Sequence, residues 1–121
     1  AERLARAEPQ RADYQRDLSV SYNQLGDLMR SLGNGEAARE YFQKCLDIRE
    51  RLARAEPQRA DYQRDLVVSL VLMANIDPAR AHDHYVRALD ILRALAAAGL
   101  QVQHLDAMIV DLEGRVASSS R

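Results

Sequence analysis

Residues 50–66 read ERLARAEPQRADYQRDL, and residues 2–18 read the same seventeen letters without a change. The copies stand 48 residues apart. Self-similarity at a fixed period of roughly 20–50 residues marks a repeat array, in which each unit is a small supersecondary element that buries its apolar face on a neighbour. Within each copy a run of strong helix formers leads into a proline, Pro9 or Pro57. Proline cannot continue a helix interior, and it pushes the preceding residue toward extended backbone. Each copy therefore predicts the end of one helix, with Asp13 and Asp61 as the N-caps of the next. On this reading residues 1–8 are the last turns of a helix that begins upstream.

Outward from the first copy, Tyr14, Leu18, Tyr22, Leu25, Met29 and Leu32 recur at steps of three and four, which is one face of an α-helix. Gly33 is the expected stop and Asn34 the next cap. A second amphipathic stretch runs from Glu36 to Ala55, with Ala38, Phe42, Cys45, Ile48 or Arg49, and Leu52 inward. Its outer face spaces Glu40–Lys44, Asp47–Arg51 and Glu50–Arg54 as i,i+4 pairs, each contributing about 0.2–0.5 kcal/mol to the helix if formed. The unit is an αα-hairpin, repeat 1 over residues 13–55.

The second copy departs after its identical block. Tyr22 becomes Leu70 and Gly26 becomes Ala74 at the same offset. Ala81, Tyr85, Ala88, Leu89, Asp90 and Ile91 then match Ala38, Phe42, Cys45, Leu46, Asp47 and Ile48 at an offset of 43. The residues corresponding to Leu28–Leu32 are therefore missing, and Asp77-Pro78 supplies a helix-start pair in place of Asn34-Gly35. Repeat 2 spans 61–98 and stops at Gly99. Residues 101–117, with Leu105, Met108, Ile109, Leu112 and Val116 inward, read as a terminal capping helix, and 118–121 as a disordered tail. The fold class is all-α: one domain over 1–117, antiparallel helix hairpins stacked as a right-handed superhelical solenoid.

The order Tyr22, Leu25-Gly26, Gly33-Asn34, Ala38, Phe42 and Cys45-Leu46 resembles the tetratricopeptide repeat. Residues 18–48 carry the resemblance fully and 66–91 in part. The 48-residue unit, in place of the usual 34 or so, is similar to the long repeats of large bacterial proteins. It implies the C-terminal part of an array within a signalling or effector protein. The resemblance also implies a concave wall built from the first helix of each hairpin, which receives a peptide or partner protein. Here that wall offers Arg16, Val20, Asn23, Asp27 and Arg30, then Arg64, Val68, Val71 and Asn75. It holds asparagines but no lysine, so a mixed ligand on Val68 and Val71, with Arg16 and Arg64 at its edge, is expected rather than a clamped carboxylate.

Charge bounds the partners. Residues 1–60 carry 11 basic and 10 acidic groups and residues 61–121 carry 6 and 8, which leaves no basic face for nucleic acid. No apolar run approaches the roughly 18 residues of a membrane span. The lone Cys45 excludes an intrachain disulfide and points to a reducing, cytoplasmic setting. No catalytic residue, metal site or cofactor is expected. His82 and His84 are two apart on a helix and diverge, and Cys45 takes a small inward position that Ala88 also fills. The expected function is a protein-interaction scaffold. The rival is self-association into a homo-oligomer through an open face of Leu4, Tyr14 and Leu18.

Overall fold

The computed structural model describes residues 2–100 and 102–120, and side chains from residue 11 onward. Five α-helices follow one another: α1 (Glu2–Ser31), α2 (Gly35–Ala55), α3 (Ala60–Ile76), α4 (Ala81–Ala97) and α5 (Leu105–Ser119). A single 3₁₀ turn, Pro78–Arg80, leads into α4. There is no strand among the described residues. Each helix packs on its neighbours in sequence, α1 on α2, α2 on α3, α3 on α4, α4 on α5. The fold is an all-α repeat solenoid of two stacked hairpins and a closing helix.

Local chemistry explains most of the boundaries. Gly33 takes a left-handed φ of 78° and Gly99 one of 70°. At the first, Asn34 N–H reaches Met29 O (2.8 Å) and Gly33 N–H reaches Arg30 O (3.0 Å). At the second, Leu100 N–H reaches Leu95 O and Gly99 N–H reaches Ala96 O, both 3.1 Å. Both are the paired bonds that satisfy the last carbonyls of a helix when a glycine allows positive φ. Asn34 then caps α2, its Oδ1 accepting from Ala37 N–H at 3.1 Å.

Four expectations need correction. The first copy does not break at Pro9: α1 runs unbroken from Glu2 through Asp13, so Asp13 caps nothing. An interior proline costs about 3 kcal/mol, and the break at Pro57 is held by contacts that come from elsewhere in the fold. There the Gln63 side-chain amide donates to Ala53 O (3.0 Å) and Pro57 O (3.4 Å), tying α3 to the end of α2. Second, α3 starts at Ala60, and Asp61 binds Arg59 (2.8 and 3.0 Å) instead of capping from the N-cap position. Asp77 likewise gives no side-chain cap, because its carboxylate faces Arg39 at 3.5 Å. Third, α5 begins at Leu105, after His104 in left-handed backbone (φ 62°), and it includes Ser118 and Ser119. Ser119 Oγ lies 3.0 Å from His82 Nδ1, which pins a segment read as a loose tail. Fourth, the i,i+4 pairs on α2 are not closed. Lys44 lies over the Tyr22 and Tyr41 rings (5.6 and 5.8 Å), Asp47 accepts from Gln43, and Glu50 pairs with Arg87.

The core is contributed mainly by the three middle helices: Phe42 and Leu46 of α2, Leu70 and Met73 of α3, Leu89 and Leu92 of α4, closed by Leu112 of α5. Full burial of such a side chain contributes about 1.5–3 kcal/mol. The α1 stripe is real but half of it lies outside this core. Tyr22 and Met29 meet α2, whereas Tyr14, Leu25, Leu28 and Leu32 are exposed. Leu4, expected on the same face, lies outside the described side chains.

Gly26 shows how the first hairpin closes. A Cβ there would sit 2.5 Å from Phe42 Cε1, so the ring lies directly on the α1 backbone. In the second hairpin Ala74 carries that methyl group. The matching aromatic, Tyr85, is only partly buried at the edge of the core, and its hydroxyl donates to Asn75 Oδ1 at 2.8 Å.

Candidate functional site

Helix α3 is apolar over most of its circumference, since both α2 and α4 pack on it. Leu66, Leu70 and Met73 are spent on that packing. Val67 and Val71, one turn apart, turn toward α5 together with Val68 and Leu72. From α5, Met108 and Leu112 approach at i,i+4 spacing with Asp111 between them. These residues line a groove of about 220 Å³. That is below the roughly 300–1,000 Å³ of small-molecule sites and suits one or two side chains of a partner.

Beside the groove, sharing Asp111 with it, lies a polar cluster drawn from three helices. Arg115 donates through Nε to Asp111 Oδ2 (3.0 Å) and through Nη1 to Tyr85 Oη (3.4 Å) and Asn75 Oδ1 (3.5 Å). Its guanidinium also lies 5.7 Å from the Tyr85 ring centre. The Tyr85 hydrogen bond and the Asp111 carboxylate hold it firmly protonated. The cluster sets hydrogen-bonding groups next to an apolar slot.

Of the wall residues read from sequence, the groove collects Val68 and Val71, and Asn75, one turn further along α3, bonds to the neighbouring Tyr85–Arg115 cluster. Arg16 is engaged elsewhere. Its Nε donates to Asp65 Oδ2 (2.8 Å), and Nη1 lies 3.4 Å from Asp61 Oδ2, tying α1 to α3. The Arg59 hydrogen bonds, with Arg16 beyond them, hold the Asp61 carboxyl below its ordinary pKa. Val20, Asn23, Asp27 and Arg30 run along α1, outside the groove lining, and Asp27 and Arg30 pair with each other at 3.2 Å. Asn23 Oδ1 is buried without a partner. Arg64 is exposed one turn before Val68. The opposite wall of Met108, Asp111 and Leu112, and the Tyr85–Arg115 cluster, carried no signal in the sequence beyond the amphipathic period of the last helix.

A second polar constellation sits where α1, α2 and α3 meet. Arg49 is buried, donating through Nε to Ser19 Oγ (3.3 Å) and through Nη1 to Ser69 Oγ (2.9 Å) and Asp65 O (3.3 Å). Cys45 Sγ lies 3.4 Å from Ser69 Oγ, and burial pushes its thiol pKa up, so the unreactive protonated form prevails. Burial also lowers the pKa of His84, whose Nε2 has no partner. No group of three His, Cys, Asp or Glu among the described residues could hold a metal. No described helix is long and apolar enough to cross a membrane.

No curated protein and no solved structure matches the chain significantly. The tetratricopeptide repeat family model, however, matches residues 17–94, from the middle of α1 to the last turn of α4. With Gly26 against Phe42, the glycine turns and the two stacked hairpins, this match decides the assignment: the chain belongs to the tetratricopeptide repeat family, non-catalytic scaffolds that generally mediate protein–protein interactions.

Proposed function

We propose that the α3–α5 groove receives an apolar side chain from a peptide or partner protein, and that the chain works as an interaction scaffold within a larger signalling or effector polypeptide. The observation that carries this is Val68. It is 39% exposed on a helix whose other large apolar side chains are covered, and it opens onto a slot floored by Val67 and Leu112. Asn75 and Arg115 stand beside the slot with donors and acceptors for the backbone of the incoming segment. The lone buried Cys45 fits a reducing, cytoplasmic setting.

Selection of random twelve-residue peptides against the intact chain tests this reading. Enriched peptides should carry an aliphatic or aromatic anchor. Val68→Asp should weaken their binding at least tenfold while far-UV circular dichroism stays unchanged, because the side chain is partly exposed. Peptides whose binding ignores Val68→Asp would remove the groove from consideration.

A further inference from the structure

The identical block gives this molecule an internal template for an unassigned surface. Tyr14, Leu18, Ser21 and Leu25 on α1 stand 48 residues before Tyr62, Leu66, Ser69 and Met73 on α3. On α3 all four are buried. On α1 Tyr14 is 64% exposed, Leu25 is 37% exposed, Ser21 is open and Leu18 is half-covered. From this we infer that the outer face of α1 is a docking surface for a second helix with the chemistry of α2. It is a surface distinct from the α3–α5 groove and independent of that reading.

What covers the α3 stripe specifies the occupant. Along α2, Cys45 meets Ser69 Oγ, Arg49 donates to Ser69 Oγ and Asp65 O, and the Ala53 carbonyl accepts from Gln63 Nε2. Pro57 then ends the helix with its own carbonyl on Gln63. These four residues are spaced by four, so they lie along one face of α2 and its turn. Helix α1 repeats every counterpart: Gln15 for Gln63, Asp17 for Asp65, Ser21 for Ser69. None of the three side chains makes a hydrogen bond among the described residues. The face thus offers an apolar stripe and an unused set of polar partners in the register that α2 satisfies on α3.

The occupant is a repeat helix carrying small–x₃–Arg–x₃–small–x₃–Pro. Its arginine bonds the Ser21 hydroxyl and the Asp17 carbonyl, and its last turn receives the Gln15 amide. Leu28, matched by Ile76 at the end of α3, and Leu32, which lies beyond the length of α3, extend the stripe for a helix of full α2 length. An intact second copy of this chain cannot serve, because its own α2 is already covered by α3.

The test uses a fluorescent peptide of residues 34–59 titrated into the full chain. Saturable binding is expected. Tyr14→Lys with Leu18→Lys should weaken it at least tenfold, and Ser21→Val, or Arg49→Leu in the peptide, about tenfold. Val68→Lys should leave it unchanged. No saturable binding, or equal binding to the Tyr14→Lys, Leu18→Lys protein, overturns the proposal. A concentration-dependent dimer of the chain alone that Tyr14→Lys abolishes also overturns it, by giving the face to a second copy.

Discussion

The two copies of ERLARAEPQRADYQRDL occupy different worlds. Residues 50–66 bend at Pro57, and their tyrosine is 2% exposed. Residues 2–18 form straight helix, and their tyrosine is 64% exposed. The string is the same, so the difference comes from its neighbours. The second copy has α2 behind it and α4 in front, while the first packs on α2 and reaches α3 through the Arg16 side chain. Helix propensity and the proline penalty are local terms of a few kcal/mol at most, and tertiary packing readily overrides them. The hairpins also differ inside. The first joint is polar, with Ser19, Arg49 and Ser69; at the second, Val67 and Leu92 replace Ser19 and Arg49.

The sharpest way to break this comparison is to make one substitution in both copies. Tyr62→Ala should cost about 3–5 kcal/mol in urea unfolding, as loss of a buried aromatic does. Tyr14→Ala should stay within about 0.5 kcal/mol, as exposed substitutions do. Equal losses would mean that α1 is covered in solution. Next in size is the joint. Arg49→Ala should cost about 2–4 kcal/mol, since it opens space and removes a charged donor from the Ser19 and Ser69 hydroxyls and the Asp65 carbonyl. Arg49→Leu with Ser19→Val, which copies the second joint, should recover most of that loss, because buried charges are often replaced by apolar groups without penalty. The smallest effect concerns the helix crossing. Gly26→Ala should destabilise by about 1–3 kcal/mol, because the new methyl meets the Phe42 ring, whereas Ala74→Gly should lose only about 1 kcal/mol of helix propensity. Thermal or urea melts of the pair would show the asymmetry directly.

Much of the fold was legible because it is written in short-range chemistry. The steps of three and four set the helices, Gly33-Asn34 and Gly99 set two turns, and the five-residue offset change located the shortened hairpin. Pro9 misled for a physical reason: identical letters can give different backbone when the deciding bonds, such as Gln63 to Ala53 O, come from packing. The candidate groove was half legible. Val68 and Val71 stand out as valines on a face already supplied with core residues. Met108, Asp111 and Leu112 do not, because their role depends on where α5 crosses α3, which no local pattern encodes. Arg49 was readable as an inward position but not as a charge held by hydroxyls, since its partners come from two other helices.

Arg49 has a mechanical consequence. Sliding α2 past α3 by one helical turn would carry the guanidinium away from its hydroxyl and carbonyl acceptors into the aliphatic interior, where nothing compensates it. Slip at that joint is therefore heavily resisted. The joint around Val67 and Leu92 is greasy, and side chains there tolerate small displacements with similar contacts. Under load the molecule should act as a rigid arm with one compliant elbow at α4, whose shift against α3 and α5 would widen or narrow the groove.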